Sequence, residues 1–162
     1  ELHAWRDFAA SKDKIFTLLS NRAKSRSKHR KKSPETIEPL ETPNEIKVDG
    51  TAISIPSTVF HRRSKHTKSP WSMIFNPSSN EMQVYINEAS EVWKFFAELK
   101  QNKKDHIEHL IIFAIGDCIF QMLVDEFGYD HRTAKVRRDD WLNLVYEEKA
   151  KGGSKKFKYQ RR

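Results

Sequence analysis

The spacing of apolar positions changes period twice along this chain. Trp5, Phe8, Ala9, Phe16 and Leu19 recur at near-helical intervals and predict an N-terminal helix over residues 1–20. Residues 21–45 carry no period: a basic run gives way to SPETIEPLETPNE, whose three prolines break any helix. This stretch reads as a mobile linker. Period two follows. In EIKVDGTAISIP, Ile46 and Val48 share one face and Ile53 and Ile55 another, on either side of Asp49-Gly50. That dipeptide predicts a tight type I′ hairpin, because both central residues must reach positive φ. In STVFHRRSKHTKSP, Val59 and Phe60 anchor what otherwise reads as a basic loop. A second hairpin is predicted from WSMIF and EMQVYIN. Trp71, Met73 and Phe75 alternate with Ser72 and Ile74; Met82, Val84 and Ile86 alternate with Gln83 and Tyr85. The intervening NPSSN supplies turn chemistry.

The helical period then returns. Val92, Phe95, Phe96 and Leu99 mark one side of a helix that Asn87 or Ser90 caps. A long central helix runs from Asp105 as N-cap to Gly128 just past its end. Ala134, Trp141, Leu142 and Val145 form the apolar stripe of the last helix. The predicted fold class is α+β: a small antiparallel sheet of two hairpins, followed by three helices packed on one face. Its core spans residues 45–149, and residues 150–162 form a basic tail.

Charge changes this picture. The net charge is +8, which favours polyanionic partners. Eighteen of the 30 Lys and Arg residues fall in three segments predicted to be flexible. The run RAKSRSKHRKK contributes Arg22, Lys24, Arg26, Lys28, Arg30, Lys31 and Lys32. The loop contributes Arg62, Arg63, Lys65 and Lys68, and the tail includes Lys155, Lys156, Lys158, Arg161 and Arg162. Residues 105–128 carry five carboxylates and no Lys or Arg. Cationic segments of this kind neutralise phosphates and release counterions, giving salt-sensitive, sequence-tolerant binding. Phe157 and Tyr159 are interleaved with the tail cations and suit stacking on unpaired bases. Nucleic acid is therefore the expected partner, contacted through these residues.

Other chemistry finds less support. The single cysteine, Cys118, excludes an intramolecular disulfide and a multi-cysteine zinc site, and fits a reducing, intracellular setting. The start ELHAWRDF lacks the pattern of a signal peptide. The chain opens on Glu1 rather than Met, as expected of a processed product or a piece of a longer protein. The longest apolar run, residues 110–124, is shorter than the roughly 20 residues of a membrane helix and carries Asp117, so no membrane contact is expected. His106 and His109, three apart, and Asp105 and His109, four apart, are pairs that each share a helix face but find no third ligand, so no metal and no cofactor is assigned. Asp117 and Gln121 stand one turn apart in an apolar helix, where the carboxylate needs a partner; Arg132, Arg137 or Arg138 is expected to supply it. For a nuclease, Asp117 or the Asp139-Asp140 pair would carry the chemistry, but no phosphate-binding loop accompanies them. No catalytic residue is assigned.

The stretch WSMIFNPSSNEMQVYINEASEVWKFF, followed by HIEHLIIFAIGDCIFQ, resembles the region downstream of the nucleotide-binding domain in ATPases of the gyrase, heat-shock chaperone, histidine kinase and mismatch-repair type. The resemblance covers residues 71–125. It rests on the strand-ending Ile86-Asn87 step and on the aromatics Trp93, Phe95 and Phe96 of the next helix. Ala89-Ser90-Glu91 stands where that family carries a histidine, and the ATP-binding motifs are absent. The resemblance implies an ATPase module upstream and a docking or transducing role for this domain. The expected function is thus a non-catalytic accessory domain that contacts nucleic acid through basic segments. The alternatives are a transducer domain of such an ATPase and a metal-dependent nuclease.

Overall fold

The computed structural model describes residue 40 and residues 42–64, 68–153 and 156–161. The predicted N-terminal helix, the linker's basic run and Lys65, Lys155 and Arg162 lie outside the described residues.

The first hairpin forms as its turn chemistry dictates. Strands β1 (Glu45–Val48) and β2 (Thr51–Ser54) pair antiparallel, and Asp49 and Gly50 both take positive φ, at 50° and 79°. The register sets Ile46 opposite Ile53. Ile46, Val48, Ile53 and Ile55 therefore all enter one core, where two separate faces were expected. Directly opposed residues of an antiparallel pair point the same way.

Pro56 interrupts the ladder, and the chain resumes as β3 (Thr58–Arg62), in the segment expected to be a basic loop. β4 (Trp71–Asn76) and β5 (Glu81–Asn87) form the second predicted hairpin. Its turn is held by Asn76, whose Oδ1 accepts from the Ser78 amide at 3.0 Å. β4 takes the whole of one edge of β5. The other edge takes β2 at its start, through Ser54 and Glu81, and β3 at its end, through residues 60–62. A sixth strand, β6 (Lys158–Gln160), lies parallel to β3, with Thr58 opposite Lys158 and Phe60 opposite Gln160.

The six-stranded sheet is therefore mixed, not the two antiparallel hairpins expected. Part of the predicted basic tail is a strand of it. β3 is joined to its partners β5 and β6 by long connections rather than a tight turn, which is what allows it to pair parallel with both.

Three helices follow the second hairpin. α1 (Glu91–Glu98) is capped by Ser90, whose Oγ accepts from the Trp93 amide at 3.2 Å. Trp93 is its buried residue, and its ring packs on Tyr159 at 4.6 Å between centroids. The expected stripe is split: Val92 and Phe95 are exposed, Phe95 at 63%, while Phe96 packs against the core and Leu99 is half-buried. α2 (Lys103–Asp125) has Asn102 rather than Asp105 at its N-cap position, three residues earlier than predicted, so that Asp105 lies in the first turn. There the carboxylate still favours the positive end of the helix dipole. α2 supplies more of the core than any other element, from Leu110 to Leu123. Its 23 residues are long and apolar enough to cross a membrane by length and composition alone, and 56% of the apolar window is buried in this fold.

α3 (His131–Ala150) is capped by Asp130, which accepts from the Thr133 amide at 2.9 Å. A Cβ at Gly116 of α2 would stand 3.3 Å from Leu142 Cδ2, so the bare glycine lets α2 and α3 approach closely. Trp141 of α3 is fully buried and donates from Nε1 to the Pro43 carbonyl at 3.0 Å. Arg137 reaches the Lys47 carbonyl at 3.3 Å. Both bonds tie the helical layer to the first hairpin.

Candidate nucleic-acid interface

Two of the three basic segments meet. Parallel pairing of β3 with β6 runs both strands out at the same end of the sheet, so Arg62 and Arg63 leave one strand beside Arg161 leaving the other. Arg62, Arg63, Lys68, Lys156 and Lys158 are exposed. The third segment, with Arg22, Lys24, Arg26, Lys28, Arg30, Lys31 and Lys32, lies outside the described residues.

Asn87 organises this end. It is buried, and its Nδ2 donates to the carbonyls of Ser64 and Ser69, each at 3.2 Å. Its Oδ1 accepts from the amides of Ser64, at 3.2 Å, and Ala89, at 3.1 Å. One side chain thereby holds both flanks of the basic segment between β3 and β4. Its neighbour Glu88 does the same for β6. Tyr159 donates its hydroxyl to Glu88 Oε1, and Arg161 Nε donates to the same oxygen at 3.0 Å. Burial opposes ionisation of Glu88, but these two donors and the nearby charges of Arg161 and His61 outweigh it and hold the carboxyl below its usual range.

The tail aromatics are used within the fold. Phe157 is a core residue, edge-on to Trp141, and its amide donates to Glu108 Oε1 at 3.3 Å. Tyr159 lies between Trp93 and Glu88. Their rings are thus engaged in packing rather than offered for stacking on bases.

A different aromatic pair stands on the sheet's other face. Strand alternation turns Val59, Met82, Val84, Ile86 and Tyr159 towards the helices and leaves Phe60, Tyr85 and Lys158 on the opposite side. Phe60 and Tyr85 are register partners on adjacent strands, with ring centroids 6.1 Å apart. Both are half-buried, and neither belongs to the core cluster. Tyr85 donates its hydroxyl to Gln83 on the same face at 3.0 Å. The sequence carried a signal for this pair: Tyr85 falls out of phase with Met82, Val84 and Ile86. The pairing with Phe60 had no signal, because β3 was not legible as a strand.

The remaining candidates resolve into structural contacts. Asp117 accepts from Trp71 Nε1 at 2.8 Å and from Gln121 Nε2 at 3.3 Å. Its partner is therefore a β4 tryptophan and not an arginine of the last helix. Arg138 instead pairs with Asp139 at 2.9 Å and lies over the Phe120 ring. His109 Nδ1 is 2.8 Å from the Tyr146 hydroxyl. Among the described residues, no group of three or more His, Cys, Asp or Glu side chains is arranged to hold a metal. Burial and the charge of Asp117 push the Cys118 thiol up to about 12, which leaves it unreactive.

Comparison with protein-family models, with curated proteins and with solved structures gives no match to this chain.

Proposed function

We propose that this chain is a non-catalytic accessory domain of a larger intracellular protein, and that it contacts nucleic acid or a similar polyanion without base specificity. One observation carries the reading: the parallel β3–β6 pair, which brings Arg161 out beside Arg62 and Arg63, with Lys158 opposite Thr58 further back along the same pair of strands. Two cationic segments far apart in sequence thus form one cationic edge, and a phosphate backbone crossing it meets several charges at once. Such contacts release condensed counterions, so affinity falls steeply with salt.

The test is a fluorescence-anisotropy titration of oligonucleotides at several salt concentrations. Binding is expected at low salt, with log K falling linearly against log salt. The double variant Arg62→Glu/Lys158→Glu is expected to bind more weakly and with a shallower slope, by about one unit for each phosphate no longer neutralised. Absence of binding at low salt sinks this reading.

A second reading is a protein-interaction or transducer domain attached to an ATPase module of the gyrase and heat-shock chaperone type. It is favoured by two phenylalanines standing in solvent, Phe95 at 63% and Phe113 at 53% exposure. A chain that ignores oligonucleotides at low salt supports it.

A further inference from the structure

We propose that the face of the sheet turned away from the helices binds single-stranded nucleic acid, with unpaired bases stacking on Phe60 and Tyr85. This rests on the nucleic-acid reading and adds to it the strandedness of the ligand and the surface that selects it.

The argument starts from how strand alternation distributes side chains. One face of the sheet is consumed by the core. The other carries Phe60 and Tyr85 at its centre, on neighbouring strands and 6.1 Å apart between ring centroids. Aromatic rings placed there contribute little to the core, since neither packs in it. Their surroundings are those of a strand-binding platform. Lys158 stands opposite Thr58, and Arg62 stands two residues beyond Phe60, so each is within one or two positions of the pair on the same face. Gln83 and Gln160 add amide groups that donate and accept.

The carboxylates of this face are Glu45 and Glu81, opposite Ser54 at the far end. Glu81 is four residues from Tyr85, about 13 Å along the strand. Lys47 stands beside Glu45 on the same face, so its strands carry Lys47, Arg62 and Lys158 against these two carboxylates, and the two cations nearest the rings, Arg62 and Lys158, have no carboxylate on their own strands. A phosphodiester chain is drawn to the aromatic end, where its bases meet π-faces. Stacking needs bases that are not already stacked in a duplex, so the rings favour single strands over double ones. The adjoining cationic edge, by contrast, attracts either form.

The experiment uses the full chain. A labelled single strand of about 12 nucleotides, close to the span that such surfaces cover, is titrated by anisotropy beside its duplex. Tyr85→Thr and Phe60→Thr remove a ring while keeping strand propensity, and thermal melts check that each variant folds. Each is expected to weaken single-strand binding about 5- to 100-fold and to change duplex binding by less than about twofold; Tyr85→Phe is expected to bind like the unaltered chain.

Folded Thr variants with undiminished single-strand affinity overturn the proposal and leave the nucleic-acid reading intact. So does a preference of the unaltered chain for duplex. No binding of either form removes both. Photocrosslinking of a bromouracil-substituted single strand to the unaltered chain needs no variant. Adducts on Phe60 or Tyr85 support the stacking face, and adducts confined to other segments overturn it.

Discussion

Asn87 concentrates more of the interface in one side chain than any other residue. Among the described residues its side chain makes hydrogen bonds to Ser64, Ser69 and Ala89, and those to Ser64 and Ser69 hold the two flanks of the basic segment. Removing a side chain that satisfies buried backbone groups costs about 1–3 kcal/mol. Asn87→Ala is therefore expected to lower stability in urea by that amount and to accelerate hydrogen exchange at the Ser64 amide. An unchanged exchange rate would contradict the clamp. The Ile86-Asn87 step was visible in the sequence as the end of a strand, but its reach to residues 64 and 69 was not, since nothing local encodes which backbone an amide will meet. Asp117 behaves in the same way. Its need for a partner followed from an acid in an apolar run. The identity of that partner depended on β4 crossing α2, and only the packed structure sets Trp71 at 2.8 Å.

At the level of elements, legibility tracked sequence separation. The first hairpin was readable because Asp49 and Gly50 dictate their own turn, and the cap Ser90 acts on an amide three residues away. β3 and β6 were obscured for the opposite reason. Each is short, each lies in a charge-rich segment, and their pairing joins residues far apart in sequence, Thr58 with Lys158. A basic composition suggested solvent; a parallel partner overrode it. The tail is consequently part of the fold. Deleting residues 156–162 removes Phe157 from the core and Tyr159 from Trp93. The expected loss is at least about 3 kcal/mol, the scale of truncating a buried aromatic. Thermal melting of the deletion against the full chain checks it, and an equal melting temperature would refute the role given to β6. Charge substitution at Lys158 is accordingly the cleaner probe of binding.

Across the whole molecule, two carboxylates stitch the last strand to the rest. Glu88 receives Tyr159 and Arg161, while Glu108 receives Lys149 at 2.9 Å and the Phe157 amide at 3.3 Å. In Glu108, as in Glu88, burial opposes the charge but is outweighed, here by Lys149, the Phe157 amide and the charge of His109. Both carboxyls therefore titrate below their ordinary value of 4.5. The folded state binds these protons more weakly than the unfolded chain does. The stability they confer is present above that ordinary value and is lost as pH falls through the lower, folded values. Urea midpoints are expected to hold from neutral pH to about 5.5 and then to drop. The Glu88→Gln/Glu108→Gln variant should show a weaker drop, and an acid limb as steep as that of the unaltered chain would exclude these two groups as its source.

The order of the strands also has a bearing on biosynthesis. The ribosome delivers the chain from its N-terminus, and β6 is the last strand of the sheet to appear. Until it does, β3 presents a row of unpaired amides and carbonyls, and Trp141 lacks the ring of Phe157 against it. A nascent chain at that stage displays an open edge beside uncovered apolar surface, the combination that invites strand exchange between chains. Translation speed through the last segment, and holdase chaperones that shield the edge meanwhile, are then determinants of yield for this protein.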